Sequence, residues 1–303
     1  MCVKMINGII NVYKESGFTS HDVVAKLRGI LHQKKIGHTG TLDPEATGVL
    51  PVCLGNATKL CDLLTDKNKT YKAVLKLGMV TDTQDMTGTV EKEQEVTCEQ
   101  AEIEQAILSF VGDYEQIPPM YSALKVNGKK LYELAREGKV IERKARPVTI
   151  YQIDICEIDM EAKEVEFLVS CSKGTYIRTL CHDIGEKLGC GGCMKSLVRT
   201  KVSRFLIEDS ITLGQIEELK KQEKLEEYIL PPDAVFAENA AIIMKENADR
   251  FVYNGNAFME KNIQKKEAGN EEQFRVYDSK HTFVGIYCFD QKMDRYKPVK
   301  MFL

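Results

Sequence analysis

Apolar residues recur at helical spacing in several stretches of the chain. Val23, Val24, Leu27 and Ile30 line one side of a segment that Thr19 or Ser20 can cap. Ile103, Ala106, Ile107 and Phe110 do the same behind a capping box of Thr97 and Gln100. Leu213, Ile216 and Leu219 follow Thr212 and Gln215 and predict a third, acidic helix. Shorter helices are expected over 131–137, closed by Gly138, and from about Leu180 through Ile184 and Leu188. Elsewhere the period is two. Residues 71–77 alternate and stop at Gly78, 148–158 is rich in isoleucine, and Val165, Phe167, Val169 and Cys171 share a face, which predicts paired strands over 148–158 and 165–171. Pro231-Pro232 then marks a domain boundary. Beyond it short strands are expected over 274–277 and 282–289, with turns at Asn254-Gly255 and 278–281, so 235–303 reads as a small β-rich domain.

Composition narrows the class. A chain of 303 residues with 43% hydrophobic content has room for two globular units. Its first eight residues lack the apolar run of an export signal, and no window reaches the roughly 18 apolar residues of a membrane span. The ten cysteines are scattered and read as reduced cytosolic thiols; Cys190 and Cys193 form the one close pair, without a second pair to complete a zinc site. The net charge of -3 says little, but its distribution is uneven. Residues 1–80 hold 11 basic and 6 acidic side chains, 118–150 hold 8 and 3, and 192–204 hold 4 and none, whereas acids collect in 91–115 and 208–230. Folding can gather the basic segments on one face, which suits a polyanion such as nucleic acid.

The stretch GHTGTLDPEATGVL at 37–50 holds the most chemistry. Four of its fourteen residues are Gly or Pro, so it is expected to be a rigid loop that fixes Asp43 in place. It has neither the Gly-Lys-Ser/Thr of a phosphate loop nor the glycine spacing of a dinucleotide site. Three roles are open to Asp43 from the residues alone: nucleophile, base, or turn-capping acid before Pro44. For His38 they are acid–base work, contact with a substrate base, or a structural hydrogen bond. Asp82 and Asp85 lack a nearby histidine to complete a metal set and read as turn or surface acids. No Gly-x-Ser-x-Gly elbow occurs, and the adjacent Cys181 and His182 do not make a nucleophile and base by being neighbours. Tyr176 and Arg178 are two apart; if 175–178 ends a strand, both face one way, the ring to stack on a base and the guanidinium to hold a carboxylate. Tyr71, at the start of another strand, can face the same cleft. The segment 117–132 is basic and carries two tyrosines, as a clamp on a polyanion would.

Taken together, GHTGTLDPEATGVLPVCLGNATK (37–59), KTY (69–71), PPMYSALKVNG (118–128) and GTYIRTL (174–180), in that order, closely resemble the motifs of the TruB family of tRNA pseudouridine synthases. The resemblance spans nearly all of 1–230, and 235–303 is similar, less closely, to a PUA-type RNA-binding module. It implies an α+β fold: a mixed, largely antiparallel central sheet with flanking helices over 1–232, a basic RNA-gripping insertion at 118–147, and a β-rich PUA-like domain at 235–303. It implies isomerisation of uridine-55 in the T loop of tRNA, with Asp43 as the catalytic carboxylate. Tyr71 would stack on the target base, Arg178 would pair with Asp43, Tyr176 and Leu197 would wall the pocket, and His38 would support the flipped-out loop. Val198 stands where many relatives carry a basic residue, which weakens one expected phosphate contact but leaves the pocket intact. Lys125, Lys129, Lys130 and Arg136 are the expected RNA contacts of the insertion. The isomerisation changes neither oxidation state nor atom count, so no cofactor and no metal is expected. The expected partner is tRNA, chiefly its T arm, with no membrane, for a monomer in the cytoplasm. A non-catalytic tRNA chaperone or RNA-binding protein is the alternative, and a hydrolase releasing uracil a third reading.

Overall fold

The protein is described by a computed structural model over residues 5–126 and 128–303. Residues 1–4, part of the stretch read for an export signal, and Asn127 of the PPMYSALKVNG block lie outside the described residues. A ten-stranded sheet forms the frame. Its main path runs Ile229–Leu230, Gly8–Lys14, Thr47–Leu54, Gly192–Val202, Lys69–Leu77, Glu164–Cys171, Arg146–Asp159, Gly112–Gln116. All neighbours along it are antiparallel except Thr47–Leu54 and Gly192–Val202, which run parallel. The fold is thus α+β with a mixed, largely antiparallel sheet.

One face of the sheet carries Tyr71, Ala73, Leu75, Val165, Phe167 and Val169, the inward set of two alternating strands. The helices Gln100–Leu108 and Ile177–Leu188 cover this face with Ile103, Ile107, Leu180 and Ile184. At the other end of the sheet, the helix Ser20–Leu31 packs Val23, Val24, Leu27 and Leu31 against Ile10, Val12, Leu50 and Val52. Its cap is Thr19, whose side chain accepts from the Asp22 N–H while Asp22 accepts from the Thr19 N–H. The Leu213–Lys221 helix is capped in the same way by Thr212 and Gln215.

Several expectations are corrected. The second helix begins at Gln100 with Glu99 as its cap and Glu102 as the reciprocal partner, not with Thr97, and the carboxylates suit the positive helix start. Residues 175–178 do not end a strand: Tyr176 caps the Ile177–Leu188 helix and Arg178 sits in its first turn. The rigid loop is shorter than 37–50, because Ile36–His38 and Thr47–Leu54 are paired strands and only 39–46 is irregular. Gly48 serves the sheet rather than the loop. Its φ is +100°, and a Cβ there would lie 2.2 Å from the Arg199 carbonyl oxygen, so only glycine lets the two parallel strands meet.

The C-terminal sheet has five strands in the order Ile263–Lys266, Asn239–Met244, Asn270–Tyr277, Phe283–Asp290, Arg295–Met301. Three of these were not expected from the sequence. It has a core of its own, in which Phe258, Phe274, Tyr287 and Tyr296 are packed ring against ring. Ile286 and Phe302 leave that core and join Ile9, Val49, Cys53, Leu60, Val202 and Phe205 of the large sheet in a shared apolar cluster. Val235 and Phe236, in the short turn of helix Pro232–Phe236, pack against the same cluster. No helix among the described residues is long and apolar enough to cross a membrane.

Candidate active site

The irregular segment 39–46 hangs between two strands and is pinned from below. Thr39 donates its N–H and its hydroxyl to the Pro51 carbonyl, at 3.1 and 3.0 Å. The Leu42 N–H donates to Ser20 Oγ at 2.9 Å. Two buried cations hold its carbonyls: Lys14 Nζ donates to Pro44 O at 2.8 Å, and Arg199, anchored on Val49 O of the following strand at 2.7 Å, donates at longer range to Gly40 O and Thr41 O. Neither has a carboxylate partner in the ion pairs of the described residues. Burial pushes the Lys14 ammonium down to about 8, and it depresses the Arg199 guanidinium as well.

This bracing sets the Asp43 carboxylate at the cleft. Arg178 meets it with two nitrogens, Nε to Oδ2 at 3.0 Å and Nη2 to Oδ1 at 3.4 Å. The guanidinium is buried, and the Asp43 side chain keeps 39% of its surface open, so the ion pair has a closed side and an open one. Arg178 also donates to Thr83 O at 3.0 Å and to Tyr121 O at 2.8 Å. A second carboxylate, Asp85, stands 3.6 Å from Arg178 Nη1 and is fixed by Thr83 and by the hydroxyl and N–H of Thr87. Asp85 was read as a turn or surface acid; it does make a turn, but the turn folds it back onto Arg178. Burial raises the Asp43 carboxyl above its ordinary value, Arg178 pulls the other way, and Asp85 adds to the rise. Arg178 therefore favours the ionised form, yet burial outweighs it.

Tyr71 and Arg199 are cross-strand partners on the inner face of the sheet. Tyr71 is buried, and its hydroxyl, which lies against Arg199, is pushed up to about 12, mainly by burial. Leu197, two residues before Arg199, is on the same face and shares a cluster with Leu42, Ala46 and Tyr71. Tyr176 is held by its backbone, which exchanges bonds of 2.8 and 3.0 Å with the buried Gln116 side chain. Burial raises its hydroxyl, with Ser122, Arg146 and Arg178 opposing. Asp43, Arg178, Tyr71, Tyr176 and Leu197 thus come together. His38 lies beyond the loop, edge-on to His21 with ring centroids 5.6 Å apart, and accepts a long bond from the Gly40 N–H. Burial, then His21, lowers its imidazole, so it is neutral at pH 7.

The insertion touches this cluster only through its root, at Tyr121, and its four expected RNA contacts do not join it. Lys125 and Lys129 are exposed on a two-stranded hairpin, where Lys129 Nζ lies 3.7 Å from Glu137. Lys130 and the exposed Arg136 flank the Tyr132 ring at 5.3 and 5.4 Å. Two surface hollows of about 510 and 680 Å³ lie elsewhere and contain none of these residues. No cluster of three or more His, Cys, Asp or Glu suited to a metal occurs among the described residues. The sequence reading missed Asp85, Lys14 and Arg199. For Arg199 a signal existed: it stands on the same strand face as Leu197, where alternation calls for an apolar residue.

A family model described as TruB family pseudouridylate synthase (N terminal domain) matches residues 28–177, and one described as tRNA pseudouridylate synthase B C-terminal domain matches 178–237. A protein called tRNA pseudouridine synthase B from Lachnoclostridium phytofermentans is 57% identical over 98% of this chain and 100% of its own length. One of the same name from Alkaliphilus oremlandii is 54% identical over 83% of this chain and 82% of its own. Among solved structures, a chain of an H/ACA RNP bound to a substrate RNA containing 2'-deoxyuridine superposes with a TM-score of 0.71 at 27% identity, covering 98% of this chain and 85% of that one. A chain of a Cbf5-Nop10-Gar1 complex gives a TM-score of 0.71 at 30% identity, with the same coverage.

Proposed function

This chain belongs to the TruB family of pseudouridylate synthases, and from that premise we propose that it converts uridine-55 in the T loop of tRNA to pseudouridine with Asp43 as its catalytic carboxylate. As an enzyme it is an isomerase of uridine in tRNA. The observation that carries the assignment to Asp43 is its two-nitrogen pairing with the buried Arg178 at the open side of the cleft.

The reaction breaks the bond from N1 to the ribose C1′, turns the base and joins C5 to C1′; the proton leaves C5 and N1 gains one. The ionised carboxylate of Asp43 serves this either by attacking C1′ or by assisting elimination to a glycal. Arg178 holds it in one orientation. The target base must leave its stack to reach Asp43, and Tyr71 and Leu197 offer it a ring and an apolar wall while it is detached. His38, on the far side of the loop, supports the flipped-out RNA as a neutral group. Lys125, Lys129, Lys130 and Arg136 grip the phosphate backbone from the insertion, and the C-terminal domain over 235–303 contacts tRNA away from the target. The protein works on the T arm as a monomer in the cytoplasm.

The decisive experiment is incubation with unmodified tRNA followed by pseudouridine mapping. Product is expected at the T-loop uridine alone. Asp43→Asn should bind tRNA with affinity close to that of the parent while its single-turnover rate falls at least about a thousandfold. Unchanged turnover in that variant would remove Asp43 from its role, and tRNA binding without product in the parent would favour the RNA-chaperone reading.

A further inference from the structure

The insertion reaches the catalytic pair through its root, at 118–122. Tyr121 presents its carbonyl to Arg178 Nη2 at 2.8 Å, so the guanidinium that holds Asp43 is also held by this segment. Ser122, the next residue, is 4% exposed. Its backbone is fully engaged: the N–H donates to Met120 O at 2.9 Å, and the carbonyl accepts from the Tyr132 N–H at 3.1 Å, at the start of the short helix Leu131–Arg136. The hydroxyl is not. Ser122 Oγ is wholly buried and makes no hydrogen bond. A buried hydroxyl with nothing to bond is disfavoured, and most such groups in folded proteins have a partner. Its polar neighbour is the Tyr176 hydroxyl, whose ionised form the Ser122 side chain favours, although the pair lacks the geometry of a full hydrogen bond. The Tyr176 backbone is pinned on both sides by Gln116.

From this idle buried hydroxyl between the insertion and the pocket wall, we infer that Ser122 is a positioning residue for Tyr176: when a uridine fills the cleft, the Tyr176 hydroxyl closes onto Ser122 Oγ and fixes the pocket wall. The inference rests on the pseudouridine-forming reading of the site. It makes one two-residue turn serve both sides of the pocket, with the Tyr121 carbonyl setting Arg178 and the Ser122 hydroxyl setting Tyr176. Because the Ser122 carbonyl is also tied to Tyr132, an insertion engaged on RNA and a pocket closed on uridine share this turn.

A double-mutant cycle tests it with the full chain and unmodified tRNA. Ser122→Ala and Tyr176→Phe should each slow single-turnover pseudouridine formation at saturating tRNA by about 3- to 10-fold, the worth of one ordinary hydrogen bond, with less than a twofold change in the dissociation constant. The double variant should be no slower than the slower single. Ser122→Thr, which keeps the hydroxyl, should recover most of the rate. If Ser122→Ala fails to fold by circular dichroism, Ser122→Cys, close in volume but a weak donor, takes its place in the cycle. A parental rate in the Ser122 variant, multiplicative losses in the double, or a loss confined to affinity would overturn the inference. Absence of product from the parent chain would overturn the functional reading along with it, whereas an active parent with an indifferent Ser122 overturns this inference alone.

Discussion

Arg178 faces two carboxylates, Asp43 and Asp85, so the cluster carries one more negative charge than positive. Burial first, and that balance second, explain why the Asp43 carboxyl is raised although an arginine touches it. The chemistry needs the ionised form. The rate should therefore fall as pH drops through a value above the ordinary carboxylate range, with the neutral side unaffected by this group. Arg178→Ala removes the main opposing charge and leaves Asp43 beside Asp85, with only the weaker pull of Lys14 against the rise. Its acid limb should move to higher pH, and its single-turnover rate at neutral pH should fall on the order of a hundredfold. Arg178→Lys should not restore it, since one ammonium cannot meet both carboxylate oxygens as the fork does. An acid limb unmoved by Arg178→Ala would break the link between the pair and the pH profile. At this scale much of the site was legible. Asp43 stands out among Gly and Pro, and the motifs carry Tyr71 and Arg178 with it. Asp85 was not legible, because nothing in Thr83-Gln84-Asp85 shows that the turn folds back upon Arg178, 93 residues downstream in the chain (178 − 85). Ser122 was quoted within its motif, yet its idleness is a property of burial and emerges only in three dimensions.

Local elements were legible where their signals lie within the element. Thr19 and Thr212 cap the helices expected of them, and the alternation over 165–171 gave the inner face of a strand. The misreadings arise where a competing local choice wins. Thr97 is a good cap by type, but Glu99 and Glu102 form the reciprocal pair two residues later. Spacing of two between Tyr176 and Arg178 suits a strand, but Ile177, Leu180, Cys181 and Ile184 are all buried, and that set belongs to a helix. The strand Thr47–Leu54 is almost wholly buried and so lacks alternation to announce it. The insertion's hairpin and short helix show Lys125, Lys129 and Arg136 to solvent, with Lys130 half-buried beside Tyr132. Replacing all four by Ala should raise the tRNA dissociation constant at least about tenfold and flatten its salt dependence by up to roughly three in log–log slope, for four lost phosphate contacts. Circular dichroism should show the fold intact. Equal affinity and equal slope would mean that this surface does not grip RNA.

In the whole molecule the boundary expected at Pro231-Pro232 is bridged by packing between the two sheets. Periodicity and turn residues suggest a boundary there, but they cannot reveal that Ile286 and Phe302 pack with Ile9 and Val49. Phe302 also meets Phe236 and Phe283 ring to ring. Phe302→Ala should destabilise the protein by about 3–5 kcal/mol, the usual loss for a buried aromatic. If the C-terminal domain serves tRNA binding away from the target, the variant should lose more affinity for whole tRNA than for an isolated T arm. Urea unfolding and binding to the two RNAs would check this, and a stability within about 0.5 kcal/mol of the parent would show the shared cluster to be dispensable. The same cluster bears on how the protein is made. Translation delivers Ile9 early and Phe302 some 293 positions later (302 − 9), an interval of about 15–60 s at roughly 5–20 residues per second. Val202 follows within it, 100 positions before Phe302 (302 − 202), so for about the last 5–20 s the apolar underside formed by Ile9, Val49, Leu60 and Val202 has been synthesised but lacks its cover. For that time the nascent polypeptide carries an exposed apolar surface that only its later strands will cover.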